Sequence, residues 1–301
     1  MVKKISDLYP DLGLSDIIKI LHDKDRERLA HEDFSGCGVE IFSDLSYKDD
    51  GDSYHNFDLY YGNPSCEILP TIIIVHGGGL VYGTKEVNKG IGVYFAQNGF
   101  NIVNINYRLL PDVTFTEQIK DVADAFSYIY ENFSKLKLNR DKLFILSDSA
   151  GFLLSLAAFA LMKDEKIRKI FGIHPLDFDI SAMAHISPMT GLVKSGSLSL
   201  INEPARRNLS KKQADFIDNI LIALENTDLP QSIIITSEED FIRDQALDLK
   251  NFLDSKNIRN KLLDFKKKSS YPLGHGFVIS HPDLDESRLV LEEIDNFFNK
   301  Y

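Results

Sequence analysis

The feature that most constrains the fold is the run TIIIV at residues 71–75. All five side chains are β-branched, which predicts a β-strand that is buried on both faces. Such strands occur in parallel sheets that are covered by helices on both sides. The sequence is therefore expected to fold as an α/β protein.

Strand-like and helix-like segments alternate along most of the chain from residue 70. Strands are predicted at residues 71–75, 100–107, 142–146, 167–173, 232–236 and 261–265, and helices at 87–98, 115–133, 152–162, 243–256 and from Asp285. This alternation predicts a parallel sheet with flanking helices. Residues 39–61 resemble two strands around a turn, and the alternation lapses at 175–228, which predicts an insertion.

Charge and composition exclude several classes of protein. The 301 residues include 34 Lys and Arg against 45 Asp and Glu, a net charge of −11, which disfavours nucleic-acid and anionic-membrane binding. Two cysteines are too few for a disulfide framework or a zinc site. No secretory signal is visible, and the longest apolar stretch, residues 152–162, is shorter than the ~20 residues of a membrane span. A cytoplasmic protein is expected.

Residues 147–151, SDSAG, lie between a short apolar strand and an apolar helix. This context is typical of a nucleophile elbow, a sharp turn that exposes its central serine above a sheet. Ser149 is therefore a candidate nucleophile, although Ser147 stands where the usual pattern has glycine. On its own, the motif fits an ordinary strand-to-helix turn equally well.

The glycine-rich residues 76–79, HGGG, directly follow the first buried strand. Three glycines allow backbone N–H groups to converge on one point, as in the oxyanion loop of lipases and esterases. The predicted donors are Gly78, Gly79 and Ala150. A phosphate-binding loop is the alternative, and it is disfavoured because neither G-x-G-x-x-G nor G-x-x-x-x-G-K is present.

A nucleophilic serine needs a histidine base and a carboxylate, in the order serine, acid, histidine on this kind of sheet. The loop after the strand at 232–236 offers four carboxylates: Glu238, Glu239, Asp240 and Asp244. Spacing alone does not choose among them. His275 lies between two glycines in a later loop, which favours it over His281 without excluding the latter.

Taken together, these residues give the chain a resemblance to the hormone-sensitive-lipase-like carboxylesterase family of α/β-hydrolases. The resembling segments are HGGGLVYG (76–83), NYRLLPDVTF (106–115) with Asp121, SDSAG (147–151), ITSEEDFIRD (235–244) and GHGF (274–277). The resemblance implies a mostly parallel central sheet flanked by helices, with a helical cap. With the motif order it predicts a catalytic domain of residues 40–175 and 229–301, and cap segments 1–39 and 176–228.

The resemblance also implies roles for single residues. Asp240 holds the position of the family's acid, His275 that of its base and Ser149 that of its nucleophile. Tyr82, Phe152 and His185 are candidates for the substrate pocket, although for His185, as for His174, a packing role is favoured. Ser147 and Phe152 replace glycines of the family pattern, and these departures bear on pocket shape more than on activity.

The expected activity is two-step hydrolysis of a carboxylic ester with a short or medium acyl chain, without a metal or organic cofactor. The same residues would serve a sugar-ester deacetylase, an amidase or a peptidase, and some proteins of this fold bind small molecules without catalysis. The expected partner is a small-molecule ester, with no nucleic acid and no membrane. A homodimer is predicted only by analogy with other proteins of this fold.

Overall fold

The computed structural model describes residues 13–62, 68–171, 179–192, 197–218, 220–267 and 270–301. Within these residues the chain forms an eight-stranded sheet in the order β1-β2-β4-β3-β5-β6-β7-β8. The strands are β1 (Glu40–Ser46), β2 (Asn56–Tyr61), β3 (Thr71–Val75), β4 (Asn101–Ile105), β5 (Leu143–Asp148), β6 (Ala182–Ile186), β7 (Gln231–Ser237) and β8 (Asn260–Phe265). The pairs β1–β2 and β2–β4 are antiparallel and the others are parallel. The predicted α/β fold is confirmed.

Helices flank this sheet on both faces. They are α1 (Leu14–Ala30), α2 (Lys89–Gln97), α3 (Phe115–Glu131), α4 (Ala150–Lys163), α5 (Glu165–Phe171), α6 (Asn202–Arg206), α7 (Lys211–Asp218), α8 (Ile220–Ala223), α9 (Arg243–Ser255), α10 (Phe277–Ser280) and α11 (Asp285–Phe298), with 3₁₀ turns at Lys85–Asn88 and Ser197–Ile201. No helix among the described residues is both long and apolar enough to cross a lipid bilayer.

The core has two halves because strand side chains alternate between the faces of the sheet. On β3, Ile73 and Val75 join one buried apolar cluster with α3, α4 and α9. Ile72 and Ile74 join the other, with α2 and α11. The fully buried β-branched run of β3 therefore supports both layers of helices.

One predicted strand is wrong. Residues 165–171 form α5 and not a strand, because Ile167 and Phe171, four residues apart, are buried on one helical face. The sheet takes its next strand from β6, which pairs with β5 and β7. Residues 182–186, assigned to the cap from the sequence, therefore belong to the sheet. Residues 172–173 of the predicted strand, and His174, lie outside the described residues.

The other predicted strands and helices of the sheet domain agree with the structure to within a few residues. The predicted pair of strands at residues 39–61 is the antiparallel pair β1–β2. The carboxyl ends of β5 and β7 carry the loops that hold Ser149 and Asp240, and the loop after β8 holds His275. The parallel arrangement thus brings distant parts of the chain to one edge of the sheet.

Candidate active site

Ser149 lies at the sharp turn between β5 and α4. Its φ of 46° and ψ of −117° lie in a region that side chains other than glycine rarely adopt. Two backbone hydrogen bonds hold the turn: the N–H of Ser149 donates to the carbonyl of Ile186 at 3.0 Å, and the N–H of Met189 donates to the carbonyl of Ser149 at 3.1 Å. A Cβ on Gly151 would lie 2.2 Å from the carbonyl oxygen of Val75, so α4 approaches β3 this closely only with glycine. This is the geometry of a nucleophile elbow.

A continuous row of hydrogen bonds joins Ser149, His275 and Asp240. The Nε2 atom of His275 lies 2.9 Å from Ser149 Oγ, and its Nδ1 atom lies 2.8 Å from Asp240 Oδ1. With its proton on Nδ1, His275 donates to Asp240 and accepts from the serine hydroxyl. Of the four carboxylates in the predicted loop, the structure brings Asp240 to this histidine.

Asp240 is held as a carboxylate. Burial alone raises its pKa, but the positive charge and hydrogen bond of His275, with further bonds from Ser187 and the N–H of Ile242, outweigh burial and lower the pKa below its usual range. The Ile242 N–H lies 3.0 Å from Oδ1. A carboxylate in this state fixes the orientation of the imidazole and stabilises its cationic form.

The loop that carries His275 is also fixed. The N–H of Gly276 donates to Ser187 Oγ at 3.0 Å, and the ring of Phe241 lies 4.4 Å from the ring of His275. His281 is exposed, and no hydrogen bond among the described residues joins it to Ser149 or Asp240. The structure therefore places His275, and not His281, next to Ser149 and Asp240.

The HGGG segment forms a tight loop beside Ser149. Gly78 and Gly79 have φ angles of 104° and 60°, which side chains rarely allow. A Cβ on Gly78 would lie 1.8 Å from the carbonyl oxygen of Tyr82. In the described part of the chain, no hydrogen bond uses the N–H groups of Gly78, Gly79 or Ala150. These three donors are available to a ligand.

His76 supports this loop from below. Its ring stacks on Tyr107 at 4.2 Å, and the Tyr107 hydroxyl donates to the carbonyls of His76 and Gly77 at 2.7 and 3.2 Å. Burial lowers the pKa of His76 to about 4, so its ring is neutral at neutral pH. The contacts of His76 are those of a packed structural residue.

A cavity of about 290 Å³ opens above Ser149 and His275. Gly78, Gly79 and Tyr82 line it, and the Tyr82 hydroxyl donates to the carbonyl of Leu21 on α1 at 3.3 Å. Most other lining side chains are apolar: Leu14, Ile17, Ile18, Leu21, Val81, Val87, Met189, Ile201, Phe241, Ile242 and Ile279. Tyr82 therefore borders the cavity, and its contact with a substrate stays a prediction.

Phe152 and His185 do not line this cavity, so their assignment to the pocket is wrong, and His185 has the packing role that was favoured for it. Both are about 1% exposed, and their rings pack edge to face at 4.4 Å beneath the elbow. His185 lies on β6 and faces Ser147, whose Oγ is 3.1 Å from His185 Nδ1. The two departures from the family pattern, Ser147 and Phe152, therefore contact the same buried histidine.

Sequence reasoning missed most of the cavity wall. The helical spacing of Ile17, Ile18 and Leu21 predicts a helix, but nothing in the sequence indicates that its apolar face covers Ser149. Phe241 adjoins Asp240 in the chain and could have been nominated on that ground. Within the described residues there is no group of three or more His, Cys, Asp and Glu side chains able to hold a metal ion.

Comparison with known families gives one domain match. The model of the BD-FAE family matches residues 57–240, more than half of the chain. Among curated proteins, an arylesterase of Saccharolobus solfataricus is 26% identical over 178 residues, which are 57% of this chain and 58% of that protein. An acetyl esterase of Salmonella paratyphi B is 24% identical over 201 residues, 62% of this chain and 60% of that protein. The chain thus spans about three fifths of the length of these relatives.

Solved structures agree with the fold. Esterase B of Lactobacillus rhamnosis, solved with a tributyrin phosphonate inhibitor, superposes with a TM-score of 0.85 at 23% identity and covers 94% of this chain and 92% of that one. An esterase of Pyrobaculum calidifontis gives a TM-score of 0.72 at 21% identity, with 96% and 94% covered. The predicted resemblance to α/β-hydrolase esterases is confirmed.

Proposed function

The chain belongs to the BD-FAE family, and from this premise we propose that it hydrolyses carboxylic esters with Ser149 as the nucleophile. The observation that carries the proposal is the row of hydrogen bonds from Ser149 through His275 to Asp240 at the floor of an apolar cavity. The names of the curated relatives, an arylesterase and an acetyl esterase, support the same class of reaction.

In the first half of the reaction, Ser149 Oγ attacks the ester carbonyl carbon while His275 Nε2 takes the hydroxyl proton. Asp240 accepts the Nδ1 proton in a hydrogen bond and stabilises the imidazolium that forms. The carbonyl oxygen becomes an oxyanion that accepts from the N–H groups of Gly78, Gly79 and Ala150. Each such donor contributes roughly 3–4 kcal/mol in comparable sites.

The tetrahedral intermediate then collapses, the C–O bond to the alcohol breaks, and His275 gives its proton to the leaving oxygen. In the second half, water attacks the acyl-enzyme and gives a proton to the same nitrogen. Collapse of this second intermediate returns the proton to Ser149 Oγ and releases the carboxylic acid. Every proton is supplied and removed by His275, and the cycle uses no metal or organic cofactor.

The proposed substrate is a neutral ester with a short or medium acyl chain. The cavity is small, about 290 Å³, and its wall is mainly aliphatic, which suits a few methylene groups more than a sugar or a peptide. The α1 helix and the described residues 197–223 are proposed to form the cap over it. The cytoplasmic location and the homodimer stay predictions.

The test is hydrolysis of p-nitrophenyl acetate, butyrate and octanoate by the wild type, Ser149→Ala and His281→Ala. Loss of the nucleophile is expected to lower kcat by roughly 10⁴–10⁶. His281→Ala is the matched control for an exposed histidine outside the hydrogen-bonded row, and its kcat should stay at the wild-type level. Equal activity of Ser149→Ala and the wild type would overturn the assignment. Turnover of acetylated sugars, amides or peptides in preference to all three esters would favour one of the alternative activities.

A further inference from the structure

One carboxylate on the cavity lining has no part in the mechanism above. Asp148 directly precedes Ser149, is buried, and has no Lys or Arg ion-pair partner among the described residues. Neutral donors hold it instead: Asn88 Nδ2 donates to Asp148 Oδ1 at 2.8 Å, and the backbone N–H of Gly77 stabilises the ionised carboxyl. A buried charge held only by neutral donors is costly, so a function is the natural reason for it.

Three segments meet at this carboxylate. A Cβ on Gly77 would lie 2.2 Å from Asp148 Oδ2 and 3.0 Å from the Cβ of Ser149, so the first glycine of the HGGG loop packs directly on the elbow. Asn88, which is fully buried, immediately precedes α2 and reaches the same carboxylate from the other side. Gly78 and Gly79 follow Gly77 without an intervening residue.

We propose that Asp148 is a positioning residue whose ionised carboxyl fixes Gly77 and thereby aims the N–H groups of Gly78 and Gly79 at the oxyanion. The proposal rests on the proposed function, since it assigns a role within the same site. Asp148 contacts neither the reacting carbonyl nor the transferred proton in this mechanism. It acts through the loop, so its loss should lower kcat and leave KM nearly unchanged.

The role of Asp148 can be tested by measuring how kcat changes with pH, because the role depends on the charge of this carboxyl. Burial raises the pKa of Asp148 to about 6, against the opposing effects of Asn88, Gly77 and the positive charge of His275. Among the described residues, Asp25 on α1 and the Tyr107 hydroxyl also interact electrostatically with it. A proton on Asp148 removes the charge that holds the Gly77 N–H.

The fold can accommodate that proton. The Oδ1 atom of Asn88 is buried and has no hydrogen-bond partner in the described part of the chain. If the amide turns over, this oxygen accepts from a protonated Asp148 carboxyl. Protonation is therefore expected to loosen the oxyanion loop without unfolding the protein, and kcat should fall as the pH drops through about 6.

The experiment compares the wild type with Asp148→Asn, Asn88→Ala and the control Asp244→Asn, an exposed carboxylate, on p-nitrophenyl butyrate from pH 5 to 9. Asp148→Asn keeps the shape but loses the charge, so kcat is expected to fall about tenfold above pH 7 with KM within about twofold. Asn88→Ala removes a bond that favours the ionised carboxyl, so the acid limb of kcat should move up by about one pH unit. Asp244→Asn should match the wild type.

Wild-type kcat for Asp148→Asn at every pH, or an unmoved acid limb in a folded Asn88→Ala, would overturn the proposal. The wild type also gives a second measurement. With ¹³C-labelled aspartate, the Asp148 carboxyl resonance, identified by its loss in Asp148→Asn, should be that of an ionised group at pH 8, and a protonated carboxyl at that pH would equally overturn the proposal. Ser149→Ala in the same assay distinguishes failure of this proposal from failure of the proposed function. If Ser149→Ala is inactive while Asp148→Asn has wild-type kcat, the role of Asp148 is overturned and the proposed ester hydrolysis by Ser149 is not.

Discussion

Two serine–histidine pairs lie next to each other at the carboxyl end of β5. The Ser149–His275 pair has an Oγ–Nε2 distance of 2.9 Å, and the Ser147–His185 pair has an Oγ–Nδ1 distance of 3.1 Å. Ser147 and His185 are directly opposite each other on β5 and β6. The serines are two residues apart in the chain, and their hydrogen bonds to histidine are of nearly equal length.

What separates the pairs is the surroundings of each histidine. His275 borders the cavity with 21% of its side chain exposed, and its second nitrogen bonds to Asp240. His185 is buried against Phe152, and burial lowers its pKa to about 3. A histidine that cannot become a cation cannot take the proton of a nucleophile. A serine–histidine hydrogen bond thus becomes a candidate for catalysis only with a carboxylate and access to a ligand.

The largest predicted effect comes from removing the carboxylate of the Ser149–His275 pair, which the Ser147–His185 pair lacks. Asp240→Asn removes the carboxylate while keeping the shape, and the amide favours the wrong tautomer of His275. We expect kcat to fall about 10⁴-fold at pH 7 with the cavity unchanged, measured on p-nitrophenyl butyrate. Asp244→Asn, from the same loop, serves as the control. A loss of less than tenfold would mean that another group orients His275.

A smaller effect concerns the second pair and pH. The pKa of His185 is lower in the fold than in the unfolded chain, so only the unfolded chain takes up its proton between about pH 6.5 and 3. The stability due to the neutral ring is complete above pH 6.5 and is lost as the pH falls. His185→Phe cannot bind a proton and should therefore lose less stability on acidification, by about 1.4 kcal/mol per pH unit in this window.

Urea unfolding at pH 6.5, 5.5 and 4.5 measures that difference, with the exposed His281→Phe as the control. His76, whose pKa burial lowers to about 4, contributes the same slope to every variant and cancels in the comparison. A slope for His185→Phe equal to that of the wild type would show that His185 is protonated in the folded protein.

The smallest effect is expected from Ser147→Ala. The change removes the partner of His185 Nδ1 and leaves a buried polar atom unpaired, which costs about 1–3 kcal/mol. Because Ser147 does not line the cavity, kcat should stay within about twofold of the wild type. Ser149→Ala provides the opposite pattern, with kcat lost and the free energy of unfolding nearly kept. A Ser147→Ala variant as inactive as Ser149→Ala would show that the two pairs are not independent.

The sequence predicts those parts of the site that depend on short segments. The glycines of the HGGG loop and the turn at Ser149 follow from local backbone requirements, and both lie at the predicted strand ends. Asp240 could not be chosen among four carboxylates from spacing, because the choice depends on which side chain the loop after β7 turns towards His275. The family resemblance made that choice, and the structure brings the same residue to the histidine.

The errors have a common cause, which is that burial depends on partners distant in the chain. β6, with the sequence AMAHI, lacks a β-branched run and is a strand because β5 and β7 pair with it. Once β6 is in the sheet, its register turns His185 towards Ser147 and Phe152 instead of the cavity. No local sequence pattern predicts the register of β6 against β5.

The α1 helix lies far from Ser149 in the chain but borders the same cavity. It supplies Leu14, Ile17, Ile18 and Leu21 to the cavity wall but no member of the Ser149 row, and it lies outside the residues that match the family. Side-chain bonds to backbone, Tyr82 to Leu21 and Arg28 to Val87, fasten it to the sheet domain. Substitutions on the apolar face of α1 are therefore expected to change which acyl groups fit the cavity while the Ser149 row keeps its geometry.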